Sequence, residues 1–242
     1  MRDENTLPDG RRLSDVELAY LTDVAKRWVR DMLEMGSVPA GDDAQYEIEE
    51  AVKKIVAIYV KYDVLSSGRF RILGTRAYDE ALAVLDDLRH RLESIIWHYG
   101  TECTQDDDEK TRLIKEVRAE FHGLTEDARV KSRVMRMWAC LNVYADGLAK
   151  KKEALTDEAL AASIATISGI KSLKRLVETE VVRTWQAEYR HINEDANYVH
   201  VYRGSSYPCD ICDDEVAKGW QKTEDADYPP FHANCKCYCV FV

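Results

Sequence analysis

Apolar residues recur at helical spacing along most of the chain. Val16, Tyr20, Val24, Trp28 and Met32 follow at four-residue steps behind Ser14-Asp15-Val16-Glu17. That tetrad is a capping box, in which the serine hydroxyl accepts from the third helical N–H and the glutamate reaches back. Gly36 and Pro39-Ala40-Gly41 are expected to end this helix and Asp43 to open a second, with Ile48, Val52, Ile55, Val56, Tyr59 and Val60 as its buried stripe. Ser66-Ser67-Gly68 breaks the pattern. A third helix is predicted from Arg76 to His98, with Leu82, Leu85, Leu88, Leu92, Ile95 and Ile96 inside and Gly100 as its stop. Residues 1–13 read as a mobile polar lead.

Asp106-Asp107-Asp108-Glu109 sits where a further helix begins, and carboxylates there complement the helix dipole. This helix carries Leu113, Ile114, Val117 and Phe121. After Gly123, Thr125 caps another, with Val130, Val134, Met137, Trp138, Leu141 and Tyr144 at core spacing. Lys150-Lys151-Lys152 is a basic connector. Thr156 caps a small helix, and Gly169 is expected to part it from a long one over 171–195. Leu173, Leu176, Val177, Val181, Thr184, Trp185 and Tyr189 form the apolar side of that long helix.

The pattern changes at Asn197. Tyr198-Val199-His200-Val201-Tyr202 and the closing run from Cys237 to Val242 are β-rich, and they are predicted to pair as antiparallel strands. The fold class expected is mostly α, a multi-helix region over 1–154 followed by a domain over 155–242 that ends in a small zinc-stapled β-hairpin knob.

Composition narrows the function. With 242 residues, 45% of them apolar, the chain can bury a sizeable core. A formal net charge of −10 makes it a poor non-specific ligand for phosphate backbones. No apolar run is long enough for a membrane span, and the polar start has no signal-peptide core. A reducing cytoplasm is the expected folding environment, where clustered cysteines bind metal more often than they form disulfides.

Five of the seven cysteines lie beyond Tyr207, and four of them join one histidine in metal-site order. The order is Cys209-Asp210-Ile211-Cys212, then nineteen residues, then His232-Ala233-Asn234-Cys235-Lys236-Cys237. A CxxC sets two thiolates on one tight turn, and the later cluster returns the remaining donors to a tetrahedral Zn²⁺. The ligands expected are Cys209, Cys212, His232 and one of Cys235 or Cys237. Cys239 stands one pleat further on and is read as packing; Cys103 and Cys140 are read as small buried hydrophobes. Too few apolar residues lie between the two strands for an independent core, so bound metal would supply what packing cannot.

These motifs in this order resemble the phage Mu F-like head morphogenesis family of minor capsid proteins. The resemblance rests on Glu178-Thr179-Glu180 with Arg183 on a helix, the strand Tyr198–Tyr202, the CxxC at Cys209–Cys212, Gly219, and the run from Tyr228 to Cys237. Ala233 stands where the family has Pro and Lys236 where it has Arg, and every candidate ligand remains. The resemblance implies a structural protein of the phage head, present in few copies, whose partners are portal or capsid proteins. Contact with packaged DNA is left open. Its expected location is the virion, with the host cytoplasm during assembly, and no membrane.

Other classes fit less well. A nucleic-acid-binding zinc knuckle is the alternative, but residues 205–231 hold seven acidic groups against Lys218 and Lys222. An enzyme is not expected. A zinc deaminase needs His-x-Glu before its Cys pair, and His200-Val201-Tyr202 lacks the Glu. Neither a His-Glu-x-x-His, a phosphate loop nor a Gly-x-Ser-x-Gly is present. Tyr202-Arg203-Gly204-Ser205 resembles an ADP-ribosyltransferase start but has no later Glu-x-Glu. An appended toxin domain is not expected after Val242. A CxxC redox role would want a βαβ setting that is not predicted here.

Overall fold

The computed structural model describes residues 5–62, 76–104, 106–108, 110, 112 and 168–242. The predicted helices carrying Leu113–Phe121 and Val130–Tyr144, the small helix after Thr156, Lys150–Lys152 and Cys140 lie outside the described residues. What is described is mostly helical, closed by a small antiparallel sheet. The chain divides into two compact units. One comprises Met1–Ala40, Trp97–Val117 and Glu178–Val242, the other Gly41–Ile96 and Arg118–Val177.

In the first unit, helix α1 spans Asp15–Asp31, and its capping box forms as expected. Ser14 Oγ accepts from the Glu17 N–H at 3.2 Å, and Glu17 Oε2 accepts from the Ser14 N–H at 2.8 Å. The hydrogen bond from the Ser14 side chain holds the Glu17 carboxyl below its ordinary range. The run at four-residue steps does not lie on one face. Val16 is 79% and Tyr20 65% exposed, while Ala25, Val29 and Met32 are buried. A four-residue step turns about 400°, so each step drifts about 40° and four steps carry the stripe about 160° round the helix. Val16 and Met32 therefore sit on nearly opposite faces.

The helix does not stop at Gly36. A π-helical turn over Met32–Ser37 leads directly into α2, Val38–Lys61. The expected second start at Asp43 is thus interior to α2. Pro39 has no N–H to give, and the wider π turn shifts the acceptor register by one residue just before it. Gly36 is a contact rather than a breaker. A Cβ there would fall 2.8 Å from the Trp185 indole nitrogen, so only glycine lets the two helices come this close.

The polar lead is also more ordered than its composition suggests. Leu7 and Leu13 are buried, and the backbone folds back through Leu7 N–H to Arg11 O and Leu13 N–H to Asn5 O. Pro8-Asp9-Gly10 makes the turn, with Gly10 at φ 88° and the Asp9 carboxylate accepting from Arg11 N–H.

The second unit takes the remainder of α2, with Ala44, Ile48, Ala51, Val52 and Ile55 buried. It also holds most of α3 (Arg76–Gly100), with Ala77, Ala81, Leu85, Leu88, Leu92 and Ile96 buried, close to the predicted stripe. Helix α4 spans Ser168–Ile192 and so runs through Gly169, which was expected to separate two helices. After α3, Asp106 caps the next turn, its carboxylate accepting from Asp108 N–H at 2.8 Å. Asp107 and Asp108 are exposed, in keeping with a solvated cap.

The C-terminal half of α4 is the spine of the first unit. Val181, Thr184, Trp185 and Tyr189 are buried, as their spacing predicts. The Trp185 indole N–H donates to Tyr99 O at 2.8 Å, and the Trp28 indole N–H to Trp185 O at 3.2 Å. Trp28 stacks on Tyr189 at 5.1 Å. Beyond α4 come β1 (Tyr198–Tyr202), α5 (Asp210–Ala217), β2 (Gln221–Lys222), a 3₁₀ turn (Thr223–Asp225) and β3 (Tyr238–Phe241). The sheet order is β2-β1-β3, antiparallel throughout. The predicted pairing of first and last strands is present, with Val199 opposite Phe241 and Tyr202 opposite Tyr238. The knob is a three-stranded sheet rather than a hairpin, because β2 adds to the free edge of β1. Tyr189 packs edge-on to Phe241 at 5.5 Å, joining sheet to helix.

This packing predicts a contrast between two aromatic residues. Trp185→Ala should cost about 3–5 kcal/mol of unfolding free energy, as for a fully buried aromatic. Tyr20→Ala should change it by less than about 0.5 kcal/mol, as for an exposed side chain. Urea denaturation followed by circular dichroism measures both, and similar losses for the two would contradict the buried face described here.

Candidate metal centre

The centre is assembled from three short segments. Cys209 is the N-cap of α5 and Cys212 lies in its first turn, so the predicted CxxC turn is the start of a helix. Asp213 N–H donates back to Cys209 O at 2.9 Å, closing that turn. Helix α5 ends at Ala217 with Lys218 as its C-cap, and Gly219 follows, its φ of 70° the left-handed conformation that glycine adopts without cost and its N–H donating to Val216 O. Trp220 is then buried, and β2 pairs with β1.

The second segment brings in His232. Pro229 and Pro230, joined by a cis peptide, are buried ahead of it. A tight turn follows, with Cys235 N–H donating to His232 O at 3.1 Å and Asn234 at φ 65°. Asparagine tolerates that conformation better than other side chains, which accounts for its place before Cys235. The His232 Nδ1–H donates to Ala233 O at 2.8 Å. That bond fixes the tautomer and leaves the Nε2 lone pair facing the thiols. Nε2 lies 3.1 Å from Cys209 Sγ and 3.0 Å from Cys212 Sγ.

The third segment is the extended approach to β3. Cys212 Sγ is 3.8 Å from Cys235 Sγ. A tetrahedral ion bound at about 2.3 Å to each sulfur separates them by about 3.8 Å, so this pair already has the spacing of one tetrahedral edge. Among the described residues the five donors form two triads that share Cys212, one of Cys209, Cys212 and His232, the other of Cys212, Cys235 and Cys237. Within each triad the ligand atoms lie within 4.8 Å of one another, and either could hold a metal ion. Cys239 belongs to neither; it is buried on β3 opposite Val201.

The thiols cannot all ionise together unaided. Burial pushes the Cys212 thiol up to about 12. A hydrogen bond from Cys237 draws Cys235 down to about 5 against the burial that opposes it. The same bond, with burial, raises Cys237 well above the ordinary thiol range. Cys235 is thus drawn towards its thiolate, while Cys212 and Cys237 are drawn towards their protonated forms. A cation in the pocket would supply the charge that the other thiolates need, so the donor chemistry fits a thiophilic metal.

Three residues that sequence reasoning did not assign to the centre position it. Arg203, directly after β1, donates to Tyr207 O, to Cys209 O and to the Asp213 carboxylate, clasping the loop that carries Cys209. Gly204 lies under the third segment, and a Cβ there would fall 1.6 Å from Lys236 O. The backbone between Cys235 and Cys237 therefore crosses the turn after β1 at a point where no side chain fits. An Arg-Gly pair at the end of a strand, just before a CxxC, was the available signal. Gln186 on α4 donates to Cys237 O at 3.4 Å, tying the same segment to the helical body. The residues Glu178, Thr179, Glu180 and Arg183 lie on α4, where Glu180, 2% exposed, accepts from Arg183 at 2.7 Å.

Arg203→Gln should keep the fold but loosen the CxxC loop, lowering the affinity for an added metal ion by about 10- to 100-fold, as loss of a supporting hydrogen bond does at metal sites. Gly204→Ala should disrupt the crossing and lower both metal affinity and Tm. Competition with a chromophoric chelator reads affinity, and wild-type binding in both variants would refute these positioning roles.

Comparison with protein-family models, with curated proteins and with solved structures finds no match for this chain.

Proposed function

We propose that the chain is a minor structural protein of a phage head, associated with the portal and acting in head morphogenesis or genome delivery, and that a single structural zinc staples its C-terminal knob. One observation carries this reading: the CxxC and the later His-Cys run, two of the motifs on which the family resemblance rests, come together in space. Cys209, Cys212, Gly219, Asn234 and Cys235, spread over 27 residues of sequence, each have a definite place in or beside one donor cluster at the end of the small sheet.

Zinc is the ion the donor set suits best. Three thiolates and one imidazole, Cys209, Cys212, Cys235 and His232, make a Cys₃His set with no seat left for water, which is the pattern of structural rather than catalytic zinc. The 3.8 Å spacing of Cys212 and Cys235 favours Cys235 as the fourth donor, with Cys237 as its hydrogen-bonding neighbour. Bound zinc would tie α5 to the approach to β3, and binding energy of about 10–16 kcal/mol would become folding energy for a knob with little core of its own. The knuckle has no basic face for nucleic acid. Lys218 is engaged by Glu215 and Asp227, and Lys222 by Glu224. Among the described residues no helix is long and apolar enough to cross a membrane.

Two measurements test this function. Elemental analysis of reduced protein should find about one zinc per chain, lost in Cys209→Ser and kept in Cys239→Ser. Protein that stays free of metal, or that keeps its C-terminal fold under chelator, would refute the staple. Fractionation of producing cells should place the chain in particles containing portal protein. Recovery only as free protein, absent from assembled heads, would refute the phage-head reading whatever the zinc result.

A further inference from the structure

The centre has more donors than one tetrahedral ion can use. They form two triads hinged on one sulfur. The first, Cys209, Cys212 and His232, combines two sulfurs with a nitrogen and is half-exposed at Cys209 and His232. The second, Cys212, Cys235 and Cys237, is all sulfur and entirely buried. A thiolate has lone pairs enough to bind two metal ions at once, and Cys212 is the one sulfur that both triads share.

Three-donor seats of sulfur and nitrogen suit a soft monovalent ion. Thiolate ligands select Cu(I) strongly, and Cu(I), unlike zinc, is content with three donors. We propose that this centre has a second loading state, in which each triad holds one Cu(I) and the Cys212 thiolate bridges the pair. Binding takes up ions supplied already as Cu(I), and the thiol protons leave to solvent, so no oxidant or reductant takes part. The state rests on reading the cluster as a metal centre but not on zinc being its usual occupant. It also gives Cys237 a coordinating role that a single zinc, seated on Cys209, Cys212, His232 and Cys235, leaves unused.

The experiment is an anaerobic titration of the reduced full-length chain with acetonitrile-stabilised Cu(I), with bound ions counted by native mass spectrometry. About two Cu(I) per chain are expected in the wild type, one per triad, and about one in Cys237→Ser and in Cys235→Ser, each of which breaks only the buried triad. X-ray absorption at the copper edge should show a metal–metal shell. Two ions on one sulfur lie no further apart than about 4.6 Å, twice a metal–sulfur bond of about 2.3 Å. One copper in the wild type overturns the proposal. So do two coppers that persist in both variants, or two without a metal–metal shell. Zinc is counted separately on untitrated protein. A chain that takes no zinc but two bridged coppers refutes the zinc staple and upholds this state, whereas one zinc with a single copper does the reverse.

Discussion

Everything at the C-terminal end depends on a charge problem at Cys212. Four thiols and an imidazole converge on a pocket in which the sulfurs are largely hidden from water. Burial drives Cys212, and the hydrogen bond with Cys235 together with burial drives Cys237, towards their protonated forms, while Cys235, hydrogen-bonded by its neighbour, is drawn the other way. Such a group is poorly matched to itself and well matched to a soft cation, which screens every thiolate at once. Around it the local structure has little apolar material. The stretch from Ser205 to Phe231 buries Cys212, Trp220, Pro229 and Pro230 and leaves its large apolar residues Tyr207 and Ile211 exposed. The cluster is what gives this stretch a reason to fold where it does.

The sheet is fixed to the helical body by groups that leave the donor atoms themselves free. Tyr189 and Trp28 form an aromatic column that ends on Phe241 of β3. Arg190 lies 4.3 Å over the ring of Tyr228, whose hydroxyl donates to Thr223 O. Gln186 reaches the Cys237 carbonyl from the same helix. These contacts hold β3 and the 3₁₀ turn, while the donors hold α5. The two sets meet at Cys237, where the side chain faces the cluster and the backbone is bound to α4. Loss of metal should therefore loosen α5 and the His232 turn first and leave β3 packed against α4.

Periodicity made much of this legible and misled where it was applied too locally. The face of α4 from Leu173 to Tyr189 and the pairing of β1 with β3 follow from 3.6- and 2-residue repeats that are long enough to fix a direction. The stripe from Val16 to Met32 used only four-residue steps, whose drift carries it round the helix. Gly36 and Pro39 looked like a helix end because breakers are read one at a time. In the structure glycine serves a close contact with Trp185 and proline follows a π turn, so the chain passes through both. The lead before Ser14 was dismissed on polarity, although Pro8-Asp9-Gly10 between Leu7 and Leu13 spells a turn with two buried anchors. Strand β2, only two residues long, has no pattern to read and exists because β1 offers an open edge.

The donor residues themselves were legible from spacing alone, yet their number was not explained by it. The crossing at Gly204 supplies the explanation. The Lys236 carbonyl presses on a glycine that can carry no side chain, and the Lys236 side chain is exposed. Cys235 and Cys237 are buried on either side of Lys236, the alternation that an extended backbone produces. With Lys236 facing out, Cys235 and Cys237 must both face in. An inward residue at 237 sits beside a thiolate, and a large apolar side chain there would have to displace a donor. A small thiol fits, gives Cys235 its hydrogen bond and adds a fourth sulfur, the fifth donor, to the pocket. The surplus donor is thus a consequence of how the backbone crosses, and the shared position of Cys212 between two triads follows from having donors on both sides of it.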